Sequence, residues 1–198
     1  MSTLEIPLFP LHTVLFPGGV LPLRIFEPRY VAMVGECMRN GNGFGVVLIR
    51  EGREAGAPAI FHEIGTLARI ADFDRLADGM LGITCQGGQK LRASAHRVQP
   101  DQLIVAEVEW LAPEPPLPLA QRYVPLAELL RDLLEREELQ SYRRWLAEDW
   151  VNTGWIGCRL AELLPLPLDV KQTLLEMDGG AERLQALTAI LQDWIARK

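Results

Sequence analysis

The stretch Ile6-Pro7-Leu8-Phe9-Pro10-Leu11-His12-Thr13-Val14-Leu15-Phe16-Pro17-Gly18-Gly19-Val20-Leu21-Pro22-Leu23-Arg24-Ile25-Phe26-Glu27-Pro28-Arg29-Tyr30 decides how this chain is read. From Ile6 to Leu23 it runs 18 residues without a formal charge, long enough for a helix to cross a bilayer. Pro7, Pro10, Pro17 and Pro22 exclude that reading, because each removes a backbone donor and fixes φ, and Gly18-Gly19 adds a break. The spacing suits neither a continuous helix nor a single regular strand. It predicts short extended pieces and turns, buried on both sides, that run into a helix opening at Pro28.

Outward from this stretch, the first 112 residues read mainly as β. Val20–Phe26, Phe44–Arg50, Ile64–Asp74, Met80–Gln86, Lys90–Val98 and Leu103–Leu111 carry short apolar or alternating runs. Turn signals separate them, among them Gly41-Asn42-Gly43, Ala77-Asp78-Gly79, Gly87-Gly88 and Gln99-Pro100-Asp101. About six short strands at close intervals favour a barrel-like sheet. One helix interrupts them, with Pro28 in its first turn, Tyr30, Val34, Cys37 and Met38 on one face, and Gly41 at the C′ position.

After Ala112, Pro113-Glu114-Pro115-Pro116-Leu117-Pro118 reads as a stiff extended linker, residues 113–118. Residues 119–198 read as helices only. Leu126, Leu129, Leu130, Leu133 and Leu134 form one apolar stripe, and a helix from Asn152 to Leu164 is stopped by Pro165. Asp169 with Gln172 reads as a capping box, and a last helix carries Leu184, Leu187, Ile190, Leu191 and Trp194. The expected fold class is α+β: residues 1–112 as a β domain with one inserted helix, then a helical bundle.

Composition narrows the partners. A net charge of −6 argues against nucleic acid and anionic membranes. Cys37, Cys85 and Cys158 are widely spaced, without a Cys-x-x-Cys pair, and read as reduced buried thiols. The opening Met1-Ser2-Thr3-Leu4-Glu5 lacks the basic start of a secretory signal, so the expected compartment is the cytoplasm.

The phrases Ile6-Pro7-Leu8-Phe9-Pro10-Leu11, Val14-Leu15-Phe16-Pro17-Gly18 and Leu21-Pro22-Leu23-Arg24-Ile25-Phe26-Glu27-Pro28-Arg29-Tyr30 resemble, in order and spacing, the opening of the N-terminal substrate-binding domain of the ATP-dependent protease Lon. Glu63-Ile64-Gly65-Thr66-Leu67-Ala68-Arg69-Ile70, the run Gly79 to Arg92, and Ala161 to Glu176 are similar to later parts of that family, so the resemblance spans nearly the whole chain. It implies a PUA-like barrel and a module that recognises polypeptide.

The resemblance raises the question of catalysis, since full-length Lon couples an ATPase to a Ser–Lys proteolytic site. The nearest string to a phosphate-binding loop, Gly87-Gly88-Gln89-Lys90-Leu91, lacks the glycine spacing and the Ser/Thr, and it opens a strand rather than a helix. Ser94 and Lys90 share a predicted strand roughly 13 Å apart, too far for a base to reach its nucleophile. His12, His62 and His96 show no metal-ligand spacing. Glu148-Asp149 reads as an N-cap rather than an acid–base pair. No catalytic residue, metal or cofactor is expected.

The expected function is therefore non-catalytic recognition of unfolded or tagged polypeptides in protein quality control. A groove between the β part and the helices would hold an extended segment, with Leu11, Phe16, Leu23, Phe26 and Tyr30 on one side and Trp150 and Trp155 on the other. Packing aromatics are the competing reading for Trp145, Trp150, Trp155 and Trp194. Two other functions stay open: an adaptor docking one folded partner, and RNA binding through the basic strand residues Lys90, Arg92, His96 and Arg97. No membrane partner is expected.

Overall fold

The computed structural model describes residues 4–196. Residues 1–3, on which the reading of the opening partly rests, and residues 197–198 lie outside the described residues. The chain is α+β and divides into two compact units, one ending at Ala112 and one beginning at Pro113.

The first unit holds six strands and one helix: β1 (Leu4–Leu11), β2 (Val20–Ile25), α1 (Pro28–Asn40), β3 (Phe44–Glu51), β4 (Ile60–Arg75), β5 (Leu81–Val98) and β6 (Ile104–Trp110). The sheet order is β2-β5-β4-β3-β1-β6, with β5 also paired to β6. Strands β5, β4, β3, β1 and β6 therefore close a ring, and β2 lies outside it on the first half of β5.

The two faces of this wall explain the sequence pattern. Ile6, Leu8, Val47, Leu67, Leu91, Ala93, Ile104, Ala106 and Val108, drawn from all five ring strands, form one core. Phe9, Leu11, Val46, Phe44, Ala68, Ile83 and Cys85 turn the other way, toward Tyr30, Met33, Val34 and Cys37 of α1. Neighbouring residues such as Leu8 and Phe9, or Val46 and Val47, thus enter different cores. Strands buried on both faces read as continuous apolar runs rather than alternating ones, which is why Phe44 to Ile49 is apolar except for Gly45.

As expected, the opening runs as short extended pieces joined by a turn, and Pro7 and Pro10 both lie within the first piece, β1. Its halves pair on opposite sides, Leu4 to Leu8 with β6 and Leu8 to Leu11 with β3. Pro7 and Pro10 therefore each sit where the strand has an open flank, the place where a missing N–H is tolerated. One expectation is corrected here: Met80–Gln86 and Lys90–Val98 are not two strands parted by a turn but one 18-residue strand. The pairing of this strand with β6 is irregular between Ala93 and His96, and Ala95 is exposed there.

The glycines at 87 and 88 lie within β5 because another backbone crosses there. Gly18 N–H donates to the Gly87 carbonyl at 2.8 Å, and Gly87 N–H donates to the Gly19 carbonyl at 2.9 Å. A Cβ on Gly87 would stand 2.1 Å from the Phe16 carbonyl oxygen. The same turn is held from the other side by the buried Thr66 hydroxyl, which donates to the Leu15 carbonyl at 2.6 Å. Phe16 is fully buried.

Helix α1 begins at Pro28 as expected and ends at Gly41, whose φ of 67° and N–H to the Cys37 carbonyl form a left-handed cap. Its buried face uses Met33 with Tyr30, Val34 and Cys37, while Met38 is 40% exposed.

The second unit contains α2 (Val124–Leu134), α3 (Gln140–Arg143), α4 (Thr153–Leu163), α5 (Leu168–Glu176) and α6 (Gly180–Ala196). Asn152 caps α4 by accepting the Gly154 N–H at 3.0 Å. The capping box expected at Asp169 is absent: Lys171 N–H reaches the Pro167 carbonyl, so α5 starts earlier and Asp169 lies in its first turn. The segment 113–118 is bonded into this unit. Pro118 bridges Asn152, Thr153 N–H donates to the Leu117 carbonyl at 2.8 Å, and Glu114 reaches Arg183.

Arg183 is fully buried on α6, yet each of its three guanidinium nitrogens is hydrogen-bonded. It donates to both Glu114 carboxylate oxygens and to the carbonyls of Leu174 and Met177. Breaking such a pair by removing one partner costs about 3–5 kcal/mol. Glu114→Ala is therefore expected to lower the urea midpoint of the helical unit sharply. Gly87→Ala is expected to destabilise the β unit by about 3 kcal/mol or more. Gly88→Ala, whose Cβ meets nothing closer than 3.4 Å, is the matched control, and its urea midpoint stays near that of the parent.

Candidate functional site

Phe26-Glu27-Pro28-Arg29-Tyr30 joins β2 to α1 and splits sharply in role. Arg29 is buried; it donates to both Glu27 oxygens at 2.9 and 2.7 Å and to the Gln102 carbonyl at 3.0 Å. Gln102 supplies that carbonyl from a left-handed backbone, φ 73°. Arg29 also lies 4.9 Å over the Tyr30 ring, which in turn stacks on Phe9 with centroids 3.9 Å apart. Arg29, held by Glu27, thus fastens α1 to the loop before β6, and Tyr30 fastens it to Phe9 of β1. Phe26 does not: it is 63% exposed.

The residues expected to line a site consequently separate. Leu11 and Tyr30 belong to the core under α1, Phe16 is fully buried, and Leu23 is half-buried against the same core. As placed, Leu11, Phe16 and Tyr30 serve packing and present almost no surface. Phe26 presents a large one.

Trp150 and Trp155 are half-buried and meet edge to face, with centroids 5.1 Å apart. Arg131 lies 4.9 Å over the Trp150 ring, and the Trp150 indole donates to Glu148 at 2.7 Å. Glu148 also accepts from Arg143 at 2.8 Å, so it orients a tryptophan rather than capping a helix. The Arg143 hydrogen bond, followed by that from Trp150, holds the Glu148 carboxyl below the usual carboxylate range.

The basic strand is not a free cationic face. Lys90 is buried, Arg92 pairs with Glu109 at 3.5 Å, and Arg97 pairs with Glu5 at 2.9 Å. His96 stacks edge-on against Phe61. Cys37, Cys85 and Cys158 are buried free thiols. Burial pushes all three upward, Cys85 to about 12, which removes thiolate chemistry near neutral pH. Among the described residues, no group of three or more His, Cys, Asp or Glu could hold a metal ion. No described helix is long and apolar enough to cross a membrane.

Three clefts mark the β unit. One of about 750 Å³ runs between the start of β1 and α1 and contains the Glu5–Arg97 pair. The others lie near the outer end of β4: about 650 Å³ beside Asp72, Asp74 and Leu76, and about 350 Å³ beside Met38, Ile70 and Phe73. Sequence reading gave Ile70 to Arg75 no role beyond strand. Their Ile-Ala-Asp-Phe-Asp-Arg pattern, an exposed phenylalanine between two aspartates, was the available signal.

A closed five-stranded ring with an outlying strand and one packed helix, followed by helices, defines an α+β protein. The family model for the ATP-dependent protease La (LON) substrate-binding domain matches residues 5–193, and the chain belongs to that family. It is 26% identical over 192 residues to Lon protease 2 of Myxococcus xanthus, covering 94% of this chain and 23% of that protein. To Lon protease 4 of Sorangium cellulosum it is 36% identical over 115 residues, 13% of that protein. The chain thus spans about a quarter or less of these curated relatives. Among solved structures it resembles a Lon N-terminal domain protein from Xanthomonas campestris, with TM-score 0.77, 37% identity, and coverage of 94% of this chain and 98% of that one.

A carboxyl held low in the fold contributes stability above the unfolded carboxylate value, about 4.3, and loses that contribution as pH falls through the folded value. The Trp150 indole N–H resonance is expected to shift as Glu148 protonates, at a lower pH than a free glutamate would. Glu148→Gln should abolish that step in a pH series of ¹H–¹⁵N spectra.

Proposed function

We propose that this chain is a non-catalytic recognition module that binds unfolded or tagged polypeptides in protein quality control. The observation that carries the reading is the match to a substrate-binding domain family across residues 5–193, nearly the whole chain. Exposed aromatic surface supports it, since Phe26 and Phe73 are 63% and 58% exposed on the β unit. Large exposed apolar side chains on a soluble fold mark interaction surfaces when they gather.

On this reading the barrel is PUA-like, the helices form a bundle, and residues 119–198 act as a helical subdomain in a cytoplasmic protein. Phe26 and Leu23 on the β unit, and Trp150 and Trp155 on the helical unit, remain the proposed contact residues, while Leu11, Phe16 and Tyr30 pack within the β unit. An adaptor for one folded partner is the second reading. RNA binding has less support, because Arg92 and Arg97 are already paired with carboxylates.

Immobilised protein is expected to retain a reduced, carboxymethylated protein and not its folded form. Phe26→Ala should weaken that retention several-fold with unchanged thermal unfolding, because the side chain is mostly in solvent. Equal retention of folded and unfolded forms, or of neither, would sink the proposal. Binding that falls steeply with salt and requires RNA would favour the third reading.

A further inference from the structure

β4 is longer than its neighbour on one side. β3 pairs with it from Ile60 to Ala68, whereas β5 pairs with it as far as Arg75. Arg69 to Arg75 therefore has a strand on one side only. The edge carries no proline, unlike β2, whose outer edge contains Pro22. Natural sheets blunt such edges with local devices, and here the device is visible. Phe73 N–H donates to the Asp72 carboxylate at 2.9 Å, and Arg75 N–H donates to the Asp74 carboxylate at 2.7 Å. The two carboxylates occupy backbone donors that a neighbouring strand's carbonyls would take.

An added strand sends alternate side chains to opposite faces, and both faces of this edge are hollow. Pro22, Arg24, Gly82, Thr84, Asp72 and Asp74 share one face by register. Leu76 folds onto that face, its side chain lying where Gly82 lacks one. The 650 Å³ cleft there is acidic: Arg24 is paired with Asp78, which leaves Asp72 and Asp74 uncompensated by any charge lining it. The 350 Å³ cleft beside Ile70 and Phe73 is bounded by Met38 and the buried Cys37, with Asn42, Arg69 and Asp72 also lining it. One face thus suits cationic side chains and the other suits apolar ones.

We propose that the open β4 edge, Arg69 to Arg75, binds an extended polypeptide segment by strand addition and selects alternating apolar and basic residues. This rests on the polypeptide-recognition reading above and names its substrate class. On binding, the segment's carbonyls take the Phe73 and Arg75 N–H groups. The released Asp72 and Asp74 carboxylates meet its lysines or arginines, and its apolar residues enter the cleft between α1 and the edge.

The test uses fluorescein-labelled eight-residue peptides alternating valine with lysine, or valine with glutamate, read by anisotropy with the full chain. The valine–lysine peptide is expected to bind at least about tenfold more tightly, a preference that shrinks with salt. N-methylation of one alternate set of its residues should abolish binding, while methylation of the other set leaves it intact, because an edge reads only one side of a strand. The double variant Asp72→Asn/Asp74→Asn should keep its thermal midpoint and reduce the lysine preference to below about threefold. Equal binding of both methylated peptides, or an undiminished preference in the variant, overturns the proposal. A reduced, carboxymethylated protein run in parallel separates the two levels. If it is retained while the peptides show no discrimination, this edge assignment falls and the broader reading stands; if nothing is retained, both fall.

Discussion

The approach of the Phe16–Gly19 turn to Gly87 is the constraint on which the β unit depends. The opening strand must leave the ring at Leu11, turn, and return as β2 against the far half of β5. That path brings two backbones within hydrogen-bonding distance in the middle of a strand, where only a residue without Cβ fits. The Thr66 hydroxyl completes the arrangement from β4. With the turn fixed, β2 lies beside β5, α1 is set over the outer core, and Arg29 reaches the loop before β6. Without it, the charge-free opening would have no single path.

The helical unit is organised by a different kind of interaction. Arg183 is buried with all three guanidinium nitrogens bonded, to Glu114 and to two carbonyls. A second polar group stands on α4, where Glu162 accepts from Tyr142 and pairs with Arg159, while Lys171 donates to its carbonyl. Burial lowers the affinity of Lys171 for its proton and raises that of Tyr142. The helices are registered by polar contacts as well as by leucines.

Much of this was legible in the residues. Pro28 and Gly41 bracket α1 because a fixed φ and a left-handed cap are local requirements. The α2 leucines and the Asn152 cap are local as well. What failed was non-local. Gly87-Gly88 carries every mark of a turn, and only the crossing backbone of a segment 70 residues earlier makes it a strand interior. Pro7 and Pro10 argue against a strand until the staggered partners are known. Lys90, Arg92 and Arg97 look like a cationic face until Glu109 and Glu5 are placed opposite them. Phe26 was legible as surface-bearing only in part: its phrase is that of the family, yet Arg29 and Tyr30 in the same phrase turn inward.

The staggered pairing of β1 also sets the order in which the ring can be completed. Leu8 meets Gly45 and Leu4 meets Val108, so β1 emerges before its partners, which lie nearly 40 and more than 100 residues further on. At about 5–20 residues per second on a ribosome, the opening strand waits several seconds for β6. Throughout that interval its apolar length has no second neighbour. Long-range pairings of this kind slow folding. The prolines that disguise the strand also keep its waiting edge from accepting another chain.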